Sequence, residues 1–293
     1  MVYSQIAVNK RNSVLLFIGF FILLIFLGYV FGYIFQFGTY FGIIFGFIFS
    51  LISALISYYL GDKIVLRVSR AKEIQKQNYP ALFNIVEALS LGAGIPMPKL
   101  HVIEDNAINA FATGRDPKHA SVAVTTGSLT KLNKEELEGV LAHELSHVKN
   151  LDIRFMVLVS VMVGTIVMLS DFFLRGFLFR NSDNDNKNVN VIVLIIGFAL
   201  AILSPLIAEL IKLAISRKRE YLADSSGALL TKNPKGLANA LKKIGNDHNI
   251  LQTANHATAP LFISNPFKNK KNWLNLFQTH PPIESRIQKL EEL

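Results

Sequence analysis

The sequence predicts a mainly α-helical chain with a small antiparallel β-sheet, anchored in a membrane by four transmembrane helices. Hydrophobic residues make up 51% of the 293 residues and charged residues only 17%, whereas about a quarter of the residues in a typical soluble domain are charged. The apolar residues are also concentrated in long uncharged stretches that alternate with polar segments. This pattern is typical of a polytopic membrane protein that carries a separate domain in water.

The first apolar stretch is too long to be a single membrane helix. No residue between Asn12 and Gly61 is charged. As one helix this stretch would be about 75 Å long, against a hydrocarbon core of about 30 Å. We therefore predict a helical hairpin that turns at Gln36–Thr39. A cleaved signal peptide is the alternative, but the stretch is far longer than the apolar region of a signal peptide and lacks a small-x-small cleavage site.

A second hairpin is predicted in the middle of the chain. Apolar stretches at Phe155–Phe173 and Val191–Ile207 flank a polar loop from Arg180 to Asn188. Four spans place both termini on the same side of the membrane. Of the 30 Lys and Arg residues, none lies in the first turn and few lie in the second. Because positively charged flanking segments stay in the cytoplasm, we expect a plasma-membrane protein with cytoplasmic termini and cytoplasmic polar segments.

These spans define the domain organisation. Residues 1–61 form the N-terminal transmembrane hairpin, residues 62–154 and 217–293 together form one cytoplasmic domain, and residues 155–216 form the second hairpin, inserted between the two parts of that domain. Basic residues gather beside the spans, so the net charge of +9 is explained by the lipid bilayer rather than by nucleic acid. The sequence does not indicate the oligomeric state.

Local signals predict the elements of the cytoplasmic domain. Apolar periodicity, a proline start and a capping box predict three helices, at Pro80–Leu91, Asn133–Asn150 and Ile283–Leu290. Short apolar runs between turn residues predict three strands, at Leu100–Ile103, Asn109–Thr113 and Ser121–Thr126. The last two strands should pair antiparallel, and residues 245–282 should form a mobile loop.

The predicted helix at Asn133–Asn150 carries the residues with recognisable chemistry. His143 and His147 are four positions apart and therefore lie one above the other on the helix, with Glu144 beside them. Two imidazoles so placed can bind one Zn²⁺ at about 2.1 Å, and a neighbouring Glu can take a proton from a water on that metal. A pair of surface histidines is the alternative, but it leaves Glu144 and the strongly capped helix unexplained.

A third protein ligand must come from elsewhere in the chain. Since the chain has no Cys, this ligand must be His, Asp or Glu. Glu220 and Asp224 are four positions apart in a predicted helix; Glu220 can bind the metal while Asp224 accepts a hydrogen bond from a ligand imidazole. The alternative is a charged helix start in which these carboxylates pair with Arg217 and Arg219.

The two motifs, His143-Glu-Leu-Ser-His147 and Glu220-Tyr-Leu-Ala-Asp224, resemble those of the HtpX family of membrane-bound zinc metalloproteases and, more distantly, the CAAX prenyl proteases. The resemblance covers nearly the whole chain. It implies a zincin-like metalloprotease domain with one Zn²⁺, held by His143, His147 and Glu220. It also implies Glu144 as the catalytic base, a supporting role for Asp224, and His280 near the active site, for which a simple loop histidine is the alternative.

The expected function follows from these roles. A zinc-dependent endopeptidase would use a zinc-bound water, activated by Glu144, to hydrolyse peptide bonds. Its substrates would be membrane proteins or polypeptides near the bilayer, bound by strand addition to one of the two antiparallel strands. The family resemblance implies quality control of misfolded or damaged membrane proteins. A non-catalytic zinc-stabilised membrane scaffold or regulator is the alternative, since it would keep the ligands without needing Glu144.

The predicted metal ligands should lie close to the cytoplasmic surface of the membrane. His147 precedes the third predicted span by a few residues, so we expect one continuous helix from the metal motif into the bilayer. The ends of the first hairpin carry no ligand, so we expect its removal to disturb the chemistry less than removal of the second hairpin, while it could still impair folding and substrate access.

Overall fold

The computed structural model describes residues 2–34, 38–180, 217–255, 257–267 and 281–293. The fourth predicted span, Val191–Ile207, lies outside these residues, and so does His280. The prediction of four spans therefore stays a prediction. The described part of the chain is mostly helical, with one small sheet.

The chain begins with two long apolar helices, α1 (Val2–Ile34) and α2 (Thr39–Val68). Both contain stretches long and apolar enough to cross a bilayer, Ala7–Tyr29 and Thr39–Val68. They pack closely along their length, as the predicted hairpin requires. Gly38, in the predicted turn, has a φ of 95°, a left-handed conformation that glycine adopts without steric cost.

Glycines allow the two helices of the hairpin to approach closely. A methyl group on Gly42 would collide with the backbone oxygen of Gly28, and one on Gly46 would press on the backbone of Leu24. Small residues at such crossings let two helix backbones touch, which is a common way to pack helices in lipid. The outer faces of both helices expose large apolar side chains, among them Ile22.

The chain then builds a compact globular part. Its elements are β1 (Lys72–Glu73), α3 (Pro80–Ala93), β2 (Lys99–Ile103), β3 (Ala110–Gly114), β4 (Ala120–Thr125), α4 (Thr126–Lys131), α5 (Lys134–Lys149), α6 (Asp152–Arg180), α7 (Arg217–Thr231), α8 (Pro234–Asn246) and α9 (Ile283–Glu291). The three helices and three strands predicted for the polar segments of the chain are all present, and β1, α4 and α8 were not predicted.

The sheet is mixed rather than antiparallel. Its strand order is β1-β2-β4-β3. The predicted antiparallel pair β3–β4 is present, with Ala112 opposite Val122. However, β4 also lies beside β2 and runs parallel to it, with Val102 opposite Val124. The prediction of an all-antiparallel sheet is therefore wrong. The strand β3 lies at the edge of the sheet, and the chain then turns back to form β4 between β3 and β2.

The helix α5 lies in the middle of the globular part. Its capping box is formed as predicted: the Glu136 backbone N–H donates to Asn133 Oδ1 (2.8 Å) and the Asn133 N–H donates to Glu136 Oε2 (2.8 Å). Its apolar face packs into the main core with α3, α7, α8 and the sheet. Leu141 and Leu145 are fully buried there. This packing fixes both the position and the rotation of α5.

The expected continuous helix from the metal motif into the membrane is wrong. Leu151, with a φ of 60°, separates α5 from α6, and the two helices meet at an angle of 83°. A left-handed residue cannot continue the right-handed hydrogen-bond ladder. The third predicted span, Phe155–Phe173, lies within α6; taken together, the bent pair of helices counts as a third candidate crossing.

The predicted mobile loop at 245–282 is ordered over part of its described length. Residues Ala259–Leu261 form one turn of 3₁₀ helix. Phe262 then forms an antiparallel bridge to Phe111 in β3, and the two rings meet edge to face at 5.0 Å. The Ile263 N–H donates to the Ala110 carbonyl (3.0 Å). These buried residues close one end of the outer edge of β3.

The close helix packing can be tested by adding side-chain volume. Gly42→Val should lower the free energy of unfolding by about 1–3 kcal/mol, since the added methyl groups would force the hairpin apart. Gly19→Val is the matched control, because an added Cβ at Gly19 meets none of the described atoms within 4 Å. Thermal unfolding of both variants in the same detergent measures the difference. Equal midpoints would contradict the close packing.

Candidate active site

Two helices bring the predicted site residues together. His143, Glu144 and His147 lie on α5, and Glu220 and Asp224 lie on α7; all five are buried. The two helices touch at Gly227, where a Cβ would lie 3.0 Å from the backbone nitrogen of His143. A side chain at this position would press on the backbone of α5, so the glycine favours the close approach that brings the carboxylates of α7 to the imidazoles of α5.

The three predicted metal ligands converge on one point. The Nε2 atoms of His143 and His147 are 3.2 Å apart. Glu220 lies 3.8 Å from His143 Nε2 and 3.5 Å from His147 Nε2. One ligand atom from each residue lies within 4.8 Å of the other two. A ligand set of two nitrogens and one carboxylate oxygen, buried and converging in this way, fits a Zn²⁺ ion bound at about 2.0–2.2 Å.

Two carboxylates orient the imidazoles. His143 Nδ1 lies 2.9 Å from Asp224 Oδ1, and His147 Nδ1 lies 3.0 Å from Asp152 Oδ2. When Nδ1 donates its hydrogen to a carboxylate, the lone pair on Nε2 is left free for a metal. Asp224 was expected in this role. Asp152 was not predicted in this role, because Lys149, Asn150 and Arg154 surround it in the sequence and nothing local distinguishes it from an ordinary charged helix start.

A buried arginine completes the site. Arg286 on α9 is 1% exposed. It donates through Nε and Nη2 to both carboxylate oxygens of Asp224, at 2.8 and 2.7 Å, and through Nη1 to the Ile263 carbonyl at 2.9 Å. Burial favours the neutral form of Asp224, but the charge of Arg286 and the hydrogen bond from His143 lower its pKa. Asp224 therefore stays ionised and fixes His143.

Arg286 was also missed by the sequence analysis, although the sequence contains a signal for it. Ile283, Arg286, Ile287 and Leu290 follow the spacing of an apolar helix face, so the arginine occupies a position expected to be apolar. A charged residue on such a face is rarely buried without a charged partner. Its presence therefore indicates a carboxylate in the core.

Glu144 has the environment of a proton acceptor. It is 1% exposed, and Oε1 has no hydrogen-bond partner among the described residues. Burial and the nearby charge of Glu220 raise the pKa of Glu144 to about 7, against the opposing effect of His147. A carboxylate with a pKa near neutrality can both take and return a proton under ordinary conditions.

The electrostatics of the site favour a cation between the imidazoles. Burial alone would lower the pKa of His147, but its hydrogen bond to Asp152 and the charge of Glu220 raise that pKa to about 9. Burial and the charge of Arg286 lower the pKa of His143. The buried carboxylates of Asp152 and Glu220 therefore make the space beside the His147 imidazole favourable for a positive charge, as a metal site requires.

The fold and the site together define a membrane-bound metallopeptidase. The model of peptidase family M48 matches residues 76–293, and curated relatives named "Protease HtpX homolog" align with nearly the whole chain. The relative from Pediococcus pentosaceus is 50% identical over 100% of both chains. The one from Caldanaerobacter subterraneus is 45% identical over 99% of this chain and 97% of its own length.

The chain therefore belongs to peptidase family M48 and, within it, to the HtpX proteases, as the resemblance predicted. A crystal structure of Ste24p from S. mikatae has a TM-score of 0.51 at 18% identity, covering 98% of this chain and 67% of that one. At this identity the likeness shows a shared fold.

The pairing of Arg286 with Asp224 can be tested by removing one partner. Arg286→Met should lower the free energy of unfolding by about 3–5 kcal/mol, because Asp224 would be left buried without its cation. Lys242→Met is the matched control. It breaks an exposed ion pair between Lys242 on α8 and Glu291, which lies on α9 as Arg286 does, and it should lower the free energy of unfolding by less than about 1 kcal/mol. Denaturant unfolding of both variants measures the two losses. Equal losses would contradict the assignment.

Proposed function

We propose that this chain is a zinc-dependent endopeptidase in which Glu144 is the catalytic base. The observation that carries the proposal is the convergence of His143, His147 and Glu220, buried together, with the Glu144 carboxylate beside them. His143, His147 and Glu220 would hold one Zn²⁺ per chain. The chemistry supplied by zinc, when bound, is polarisation of the scissile carbonyl and a lowered pKa for the attacking water.

The remaining residues would handle the proton and the geometry. Glu144 would accept the proton of the attacking water and pass it to the leaving amine nitrogen, since its pKa of about 7 suits both steps. Asp224 and Asp152 would hold the imidazoles in the tautomer that presents Nε2. The developing oxyanion would be supported by a backbone N–H or by His280, which resembles a family histidine near the active site and lies outside the described residues.

The sheet edge suggests how a substrate would bind. Of the two strands considered, β4 is paired on both sides, so β3 is the remaining candidate among the described strands. The backbone of Ala112 in β3 lowers the pKa of Glu144 by hydrogen bonding, which puts this strand next to the catalytic carboxylate. An extended polypeptide could add to β3 beyond the segment at Phe262 and present its backbone to the site.

The position of the site favours substrates at the membrane. The helix α2 runs without a break from its apolar stretch to Val68, and β1 follows at Lys72, so the sheet lies directly beyond the end of a membrane helix. We propose misfolded or damaged membrane proteins, or polypeptides near the bilayer, as substrates. The distribution of Lys and Arg supports a cytoplasmic site at the plasma membrane. A zinc-stabilised scaffold is disfavoured, because it has no use for a buried carboxylate at Glu144.

The proposed roles can be separated by two substitutions. Glu144→Gln should retain zinc and reduce cleavage of an unfolded protein such as casein by about 100-fold or more, since it removes the general base. His143→Ala should lose zinc as well, since it removes a ligand. Glu135→Gln, at an exposed position in the first turn of the same helix, is the control and should resemble the unmodified protein. Full cleavage by Glu144→Gln would contradict the proposed base.

A further inference from the structure

The N-terminal membrane helix reaches the metal centre through one polar side chain. Asn9 lies near the start of α1, within the first candidate span, and is 1% exposed. Its Nδ2 donates to Asp152 Oδ1 at 2.6 Å and to the Asn150 carbonyl at 3.0 Å. Both partners are acceptors, so the amide nitrogen must face them. These bonds link positions more than 140 residues apart in sequence.

Asp152 connects Asn9 to a metal ligand. One oxygen of this fully buried carboxylate accepts from Asn9, and the other lies 3.0 Å from His147 Nδ1. Arg219 approaches the first oxygen at 3.6 Å. Because Asn9 occupies Oδ1, Asp152 is held with Oδ2 turned towards His147. A hydrogen bond to a charged group is stronger than one between neutral groups, so this link restricts the carboxylate effectively.

Docking of the helix does not explain the asparagine. Apolar side chains of α1, including Leu16 and Phe20, already pack against α6 in a separate buried cluster with Phe155 and Met162. That packing attaches α1 to α6 without any contribution from Asn9. Asn9 lies at the polar start of α1, just before Lys10 and Arg11, yet its side chain is buried, and a buried amide needs hydrogen-bond partners. The amide nitrogen of Asn9 finds these partners in Asp152 and in the backbone carbonyl of Asn150, at the corner between α5 and α6.

We propose that Asn9 is a positioning residue for the metal centre, acting through Asp152 on His147. This inference rests on the proposed zinc protease and adds α1 to the four helices, α5, α6, α7 and α9, that already carry residues of its active site. It also gives the first hairpin a part in the metal centre, although the ends of that hairpin carry no ligand. A displacement of α1 would release Asp152 and loosen the orientation of His147.

The test is the zinc affinity of the full-length protein in detergent, measured by competition with a chromophoric chelator. Asn9→Leu, which is similar in size and suits the membrane, should weaken zinc binding by about 3- to 10-fold, less than the loss of a residue that contacts the ligand directly. Ser13→Ala is the matched control: Ser13 is buried one turn further along α1, and its hydroxyl donates to the Asn9 backbone carbonyl. Its affinity should stay within about two-fold of the unmodified protein.

A double-mutant cycle separates positioning from general stabilisation. If Asn9 acts through Asp152, Asn9→Leu should have little further effect on zinc affinity in an Asp152→Ala background. Replacement of zinc by Co²⁺ gives a second readout, because the visible absorption of Co²⁺ depends on ligand geometry; Asn9→Leu should shift this band and Ser13→Ala should not.

Two results would overturn the inference while leaving the zinc protease intact. One is an unchanged zinc affinity and Co²⁺ spectrum in Asn9→Leu. The other is an equal loss of affinity with and without Asp152. If the unmodified protein failed to bind zinc, both the inference and the proposed function would be overturned.

Discussion

The site depends on two hydrogen bonds that orient the imidazoles of α5 so that their Nε2 atoms face each other. The Nδ1 atom of His143 lies 2.9 Å from the buried carboxylate of Asp224, and the Nδ1 atom of His147 lies 3.0 Å from that of Asp152. Without these partners the rings could turn, and either nitrogen could carry the hydrogen. With them, both Nε2 atoms face the same point, which Glu220 also approaches.

Buried carboxylates need partners of their own, and this requirement gathers distant parts of the chain. Asp224 is held by Arg286 from α9, and Asp152 by Asn9 from α1 with Arg219 of α7 nearby. An unpaired buried charge would cost several kcal/mol, so each carboxylate that orients a histidine brings another element into the site. Helices from both ends of the chain therefore contribute to one small polar centre.

The sequence was most informative where a signal is local. The helix α5, its capping pair Asn133 and Glu136, and the spacing of His143 and His147 are all short-range features, and the structure contains them as predicted. The hairpin of α1 and α2 could also be predicted, because the length of an uncharged stretch is a local property. Glu220 and Asp224 could be recognised as a candidate pair, but the close contact at Gly227 is needed to explain how α7 places them beside the imidazoles of α5.

Most of the wrong or missing predictions concern contacts between residues that are far apart in the chain. The parallel pairing of β2 with β4 depends on where β3 is placed, and strand periodicity does not encode that choice. Leu151 carries no residue signal for a left-handed φ, so the corner between α5 and α6 was missed. Arg286 stands out as a charge on an apolar helix face, whereas Asp152 and Asn9 lie among other polar residues. The partners of all three could not be assigned without the fold.

The most direct test of the account is the zinc K-edge X-ray absorption spectrum of the intact protein. We predict nitrogen and oxygen neighbours at about 2.0–2.1 Å from the zinc, with the multiple-scattering signature of two imidazoles. That signature should fall to one imidazole in any zinc that remains bound to a His147→Ala variant. A spectrum with oxygen neighbours alone, or one that is unchanged in His147→Ala, would contradict it.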